Sequence, residues 1–184
     1  MASVMPFDEM NKLEERIRER FASGKLERKD EEDIIDEMFD LFLLAYATGN
    51  TVTNENLSSN YEPTLDDVIQ VVDERVAGET WRERVENYFA NGGTGDDIIR
   101  IIETETHRIS NTSALNTARR AGATTKTWVT MLDDRVRETH DYLEGQTVEI
   151  NDDFYTYDGD HAAYPGGFAL AQNNVNCRCE LLFS

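Results

Sequence analysis

Three side chains able to bind a soft cation stand in the last third of the sequence: His140, Cys177 and Cys179. One imidazole and two thiolates form a donor set that suits zinc, and His161 or a carboxylate such as Asp133 would complete a tetrahedron. The cysteines are spaced C-x-C rather than C-x-x-C, and "CRCELLF" reads as a closing strand, so joint ligation is expected to require a bend or bulge there. The plainer reading, which the spacing favours, makes Cys177 and Cys179 buried small hydrophobes and His140 a hydrogen-bonded core or rim residue. A redox pair is the weaker alternative, because neither cysteine sits at a helix N-terminus that would lower its pKa. Two cysteines this close do not form a disulfide framework.

Arginines form the second group. Residues 123–184 hold only Arg135, Arg137, Arg178 and Lys126 against eleven acids. Cations so outnumbered are expected to be paired: Arg137 with Asp141 one turn on, and Arg178 across the sheet with Asp133 or Asp134. The functional alternative is a small cleft in which Arg135, Arg137 and His140 face an anionic ligand, as a nuclease or transferase would require. Glu103 and Glu105 lie two apart on a helix and point away from each other; a solvated face is expected for them, with Glu103 and His107 one turn apart and able to pair. "NGGTGDD" lacks the lysine and preceding strand of a phosphate-binding loop, and there is no serine-histidine-aspartate order with a nucleophile elbow.

The elements that must position these residues follow from periodicity. Phe7, Met10, Leu13, Ile17 and Phe21 mark an amphipathic helix over 6–22 that Ser23 and Gly24 close. A second helix starts near Asp30 and carries a broad apolar face from Ile34 to Tyr46, with Gly49 and Asn50 as its end and a polar loop over 50–62. That width predicts packing as a bundle or against another protein. Thr64 with Asp67 predicts a capped helix continuing through Val76, and "TWRERVENYF" gives another. Thr94 opens the longest helix, which ends at Gly122.

After Gly122 the pattern changes. "TTKTWVTML" predicts a strand over 124–131, "DDRVRETHDYLEG" a short helix with Gly145 at its C-cap, "QTVEI" and "FYTY" strands around a turn, "FALAQNN" a helical turn, and "CRCELLF" a final strand. The fold class expected is α+β. An N-terminal helical, bundle-like region over 1–122 precedes a small mixed α+β domain with an antiparallel sheet over 123–184.

In its order of Trp128, Asp133, Arg135, Arg137, His140, Gly145, the "YP" loop at Pro165 and "NVNCRC" with Asn176 and Arg178, the second half resembles the head-morphogenesis family of tailed bacteriophages, named for the F protein of phage Mu. "RIIETET" resembles the arginine- and glutamate-bearing helix that precedes that domain. The resemblance covers roughly residues 95–184. It implies a minor head protein of the virion or host cytoplasm that binds portal or capsid protein during assembly, packaging or genome exit, with no catalytic reaction tied to the domain. Relatives of this kind also occur joined to toxin domains.

Charge fits that expectation. The 184 residues carry 37 acids against 18 bases, 14 of them Arg, for a net charge of −19, which argues against a nucleic-acid surface because phosphate binding needs a basic stripe. No apolar run reaches the roughly 20 residues that span a bilayer, so a soluble intracellular protein with no membrane contact is expected. Self-association is a further expectation from the broad apolar face.

Overall fold

The structure, a computed structural model, describes residues 6–24 and 26–184. Helices α1 (Pro6–Ala22), α2 (Arg28–Leu57), α3 (Leu65–Val72), α4 (Trp81–Ala90) and α5 (Gly95–Ala121) come first. Then follow β1 (Thr125–Val129), α6 (Glu138–Asp141), β2 (Thr147–Glu149), β3 (Phe154–Tyr155), β4 (His161–Ala162), α7 (Ala171–Asn174) and β5 (Glu180–Phe183). The expected α+β class is observed. Among the described residues, no helix is long and apolar enough to cross a membrane.

Three helix starts are fixed locally. Thr64 and Asp67, Thr80 and Glu83, and Thr94 and Asp97 form reciprocal capping boxes at α3, α4 and α5, each satisfying amides that the first turn leaves without partners. Ile17 of α1, Ile34, Met38 and Phe42 of α2, Val72 of α3, Trp81 and Val85 of α4, and Ile98 and Ile102 of α5 are fully buried together. A second core gathers Trp128, Leu143, Phe154, Phe168, Cys177, Cys179 and Leu181 around Leu115 of the same α5. One helix therefore contributes to both cores.

Helix α2 does not end at Gly49. It runs on to Leu57, so most of the loop expected over 50–62 is helical. A Cβ on Gly49 would lie 2.3 Å from the Ser110 carbonyl oxygen, so this glycine serves the close crossing of α2 over α5 rather than termination. The crossing is tied on either side of it: Ser113 Oγ donates to the Tyr46 carbonyl at 2.7 Å, and Asn50 Nδ2 donates to Thr117 Oγ1 at 2.8 Å. Helix α3 is shorter than expected. It stops at Val72, and Val76 lies in a tight turn whose backbone bridges to Glu79.

The sheet has the antiparallel order β2-β1-β5, with Trp128 opposite Leu181 and Thr127 opposite Thr147. Phe154 and Tyr155 do not pair with 147–149 as a hairpin; β2 pairs with β1, and β3 pairs with β4 in a separate two-stranded sheet. The helix expected across 133–145 shrinks to the four residues of α6. Asp133 Oδ1 accepts from the Arg135 amide at 3.1 Å, a local side-chain turn that competes with helix at that point. The Gly145 amide then donates back to the Trp128 carbonyl at 2.9 Å.

Candidate functional site

Cys177 and Cys179 precede the last strand. The Cys177 amide donates to the Asn174 carbonyl at 3.1 Å, closing a turn, and Asn176 has a left-handed backbone with φ 56°, a conformation asparagine tolerates better than most residues. The turn is anchored from outside. The Asn176 amide donates to Thr104 Oγ1 at 3.3 Å, and Asn111 Nδ2 donates to the Cys179 carbonyl at 3.0 Å, both residues belonging to α5. The expected need for a bend within a strand does not hold: residues two apart on a strand already share a face, and this segment is irregular backbone.

His140 reaches the same point from α6. Its Nδ1 lies 3.4 Å from Cys179 Sγ and 3.6 Å from Cys177 Sγ, and the donor atoms of all three side chains lie within 4.8 Å of one another. All three are buried, at 2%, 5% and 4% exposure for His140, Cys177 and Cys179. The His140 ring stacks on Phe168 at 5.4 Å between centroids and meets the Trp128 edge at 5.4 Å. His140 Nε2 and Trp128 Nε1 are buried without hydrogen-bond partners. The thiols are inequivalent. Hydrogen bonding from Cys179, helped by His140, holds Cys177 well below the usual thiol value in spite of burial, and the same contact together with burial pushes Cys179 up.

The sequence-derived fourth ligands do not join them. His161 is at the surface, where its Nδ1 lies 2.7 Å from Asp153 Oδ2 and its ring stacks on Tyr155. Asp133 is held in a two-pronged ion pair by Arg178, at 2.8 and 2.7 Å. That pair was one of the two expected for Arg178, and its hydrogen bonds bring the Asp133 carboxyl down to about 2. Arg137 does not pair with Asp141: its guanidinium donates to the carbonyls of Gln172 and Val175, bracing the turn that carries the cysteines. The Arg135 side chain is largely exposed, 3.6 Å from Asp133. Arg135, Arg137, Arg178 and His140 do line one cavity with both cysteines, and its volume is about 10 Å³.

A second buried polar cluster lies where the two cores meet, and it corrects the solvated face expected for Glu105. Glu105 is 1% exposed, accepting from Arg108 Nε at 2.6 Å and from Arg84 Nη2 at 2.5 Å. Arg108 is wholly buried and donates also to Glu74 at 3.0 Å and to the carbonyls of Val71 and Val72 at 3.0 and 3.3 Å. Tyr164 of the second core completes the cluster by donating its hydroxyl to Glu74 at 2.8 Å. A Cβ on Gly166, whose φ is 93°, would stand 2.9 Å from Arg108 Cβ, so the "YPGG" loop lies directly on the arginine stem. Burial works against the Glu105 charge, but the Arg108 and Arg84 guanidiniums more than offset it and leave the carboxyl below its ordinary value. His107 packs on the Phe7 ring at 4.9 Å, and among the described residues it makes no ion pair with Glu103. Of "RIIETET" only Glu105 belongs to this cluster, since Arg100 pairs with Asp97 at the surface; the partners of Glu105 and Arg108 in Arg84 and the 71–74 segment are supplied by no local pattern.

The family described as phage Mu protein F-like matches residues 59–182. The chain belongs to this family. The match begins well before residue 95, where the sequence resemblance was expected to start, and takes in α3, α4 and both polar clusters. This Mu F-like chain is 30% identical over 83 residues to the minor head protein GP7 of Bacillus phage SPP1, covering 44% of the chain and 27% of that protein. It is 33% identical over 85 residues to the NAD(+)--arginine ADP-ribosyltransferase EFV of Enterococcus faecalis, covering 44% of the chain and 17% of that protein. The chain thus spans about a quarter of the length of one relative and a sixth of the other. No solved structure matches it significantly.

Proposed function

We propose that this Mu F-like chain serves in phage head morphogenesis as a minor head component, and that it acts by binding portal or capsid protein rather than by catalysis. The family match over residues 59–182 carries the reading. The likeness to the SPP1 minor head protein supports it. So does geometry: the cavity shared by His140, Arg135 and Arg137 measures about 10 Å³, against roughly 300–1,000 Å³ for sites that take small-molecule ligands. The acidic balance of the chain favours a protein partner over bare nucleic acid.

The test is complex formation between the purified chain and its cognate portal and major capsid proteins, read by light scattering after size exclusion. A defined complex with either, together with the chain in purified heads, is the expected result; a chain that binds neither and is missing from heads overturns the proposal.

The second reading draws on the likeness to the ADP-ribosyltransferase: transferase or nuclease chemistry at His140 with Arg135 and Arg137. It requires the small cavity to open. Turnover of NAD+ or nucleic acid that Arg135→Ala abolishes, while the fold is kept, would favour this reading over binding.

A further inference from the structure

We infer that His140, Cys177 and Cys179 hold one zinc ion in a closed, structural site whose fourth ligand is a single water. With zinc–sulfur bonds of about 2.3 Å and zinc–nitrogen bonds of about 2.0–2.1 Å at the tetrahedral angle, a sulfur and a nitrogen ligand stand about 3.5 Å apart. The two separations here are 3.4 and 3.6 Å. Both nitrogen–sulfur separations are thus already at ligand spacing, and all three donors, from two distant chain segments, lie within 4.8 Å of one another.

Hydrogen bonding alone leaves the arrangement incomplete. The single lone pair or proton on Nδ1 serves one sulfur at a time, yet two sulfurs approach it. A zinc ion uses all three inward-facing donors: Nδ1 gives its lone pair, the ring proton stays on Nε2, and both thiol protons pass to solvent. The ion and two thiolates then sum to neutrality, which suits a site enclosed by Trp128 and Phe168. The neighbouring arginines leave the sulfurs free for metal, since Arg178 is engaged by Asp133 and Arg137 by main-chain carbonyls.

Size assigns the role. Among the described residues no further histidine, cysteine or carboxylate belongs to the cluster, so the fourth position falls to the adjoining cavity. Its volume of about 10 Å³ is that of one water at the lower limit of about 10–15 Å³. A water fits and a substrate does not, so an ion here joins α6 to the turn before β5 instead of activating a reactant.

The test uses the full chain, purified without a metal-binding tag, with metal content from plasma mass spectrometry and native mass. One zinc per chain is expected, with a lower Tm after chelation and recovery on adding zinc. Cobalt in its place should give a thiolate charge-transfer band and strong visible bands of a tetrahedral centre. Cys177→Ser and Cys179→Ser should lose the ion; should they fail to fold, chelation and refilling of the unaltered chain decide the matter alone. Metal-free protein whose Tm does not respond to zinc overturns the inference, as does an intact mass reduced by a Cys177–Cys179 disulfide. None of these readouts depends on portal or capsid binding.

Discussion

The two buried polar clusters solve opposite problems. Around Arg108 every charge meets an opposite charge or a carbonyl, and the guanidinium is satisfied by Glu105, Glu74, Val71 and Val72. Around His140 two sulfurs converge on one nitrogen, and two aromatic N–H-bearing rings keep an unpartnered nitrogen each. The first cluster is complete in itself and ties helices to module; the second leaves one nitrogen shared between two sulfurs. Buried polarity therefore marks a joint in one place and, on the zinc site inferred above, a ligand position in the other.

The sharpest way to break the joint is Glu105→Ala, which leaves the buried Arg108 charge without its closest partner. The expected loss is about 3–5 kcal/mol by denaturant unfolding, whereas replacing Glu105 and Arg108 together by apolar residues of similar volume should cost much less. If the single and double variants lose the same amount, the cluster is not a charge pair in any energetic sense.

Lys126 sharpens the comparison from the module side. It is fully buried, donates to the Ala163 carbonyl at 2.7 Å, and burial brings its ammonium from 10.5 down to about 8. Between about pH 8 and 10.5 the unfolded chain still holds this proton and the folded chain has released it, so stability should rise with pH in that window, by on the order of 3 kcal/mol at most. Below pH 8 both states are protonated and the contribution is flat. Lys126→Met should remove the slope in denaturant titrations at stepped pH; a slope that persists assigns it to other groups.

The smallest effect is expected at the rim. Arg178→Ala frees Asp133, whose carboxyl the arginine holds at about 2. The stabilisation is present above the ordinary aspartate range and is lost as pH falls through the folded value, so the variant should be only slightly less stable at neutral pH, less so in high salt, and should converge with the parent in acid.

What could be read from the chain follows from distance along it. The Thr64–Asp67 box and the cap at Thr94 involve residues at most three apart, and both were legible. Gly49 looked like a helix end because a glycine's local signal is the same whether it stops a helix or lets another backbone approach, and Ser110 lies far along the chain. Glu105 looked solvated for the same reason: its neighbours on the helix are visible in sequence, while Arg84 and the 71–74 segment are not. Residue types alone group His140, Cys177 and Cys179 as candidate ligands, beside the favoured reading of buried small side chains, and their convergence depends on the left-handed Asn176 and on anchors from α5.

Helix α5 has a mechanical consequence. Its 27 residues make a rod about 40 Å long, and its side chains belong to the helical core near one end and to the Trp128 core near the other. A load applied at the helical end reaches the second core along the continuous backbone hydrogen bonds of one helix, and the Arg108 cluster ties both Glu74 and, through it, Tyr164 to the middle of that rod.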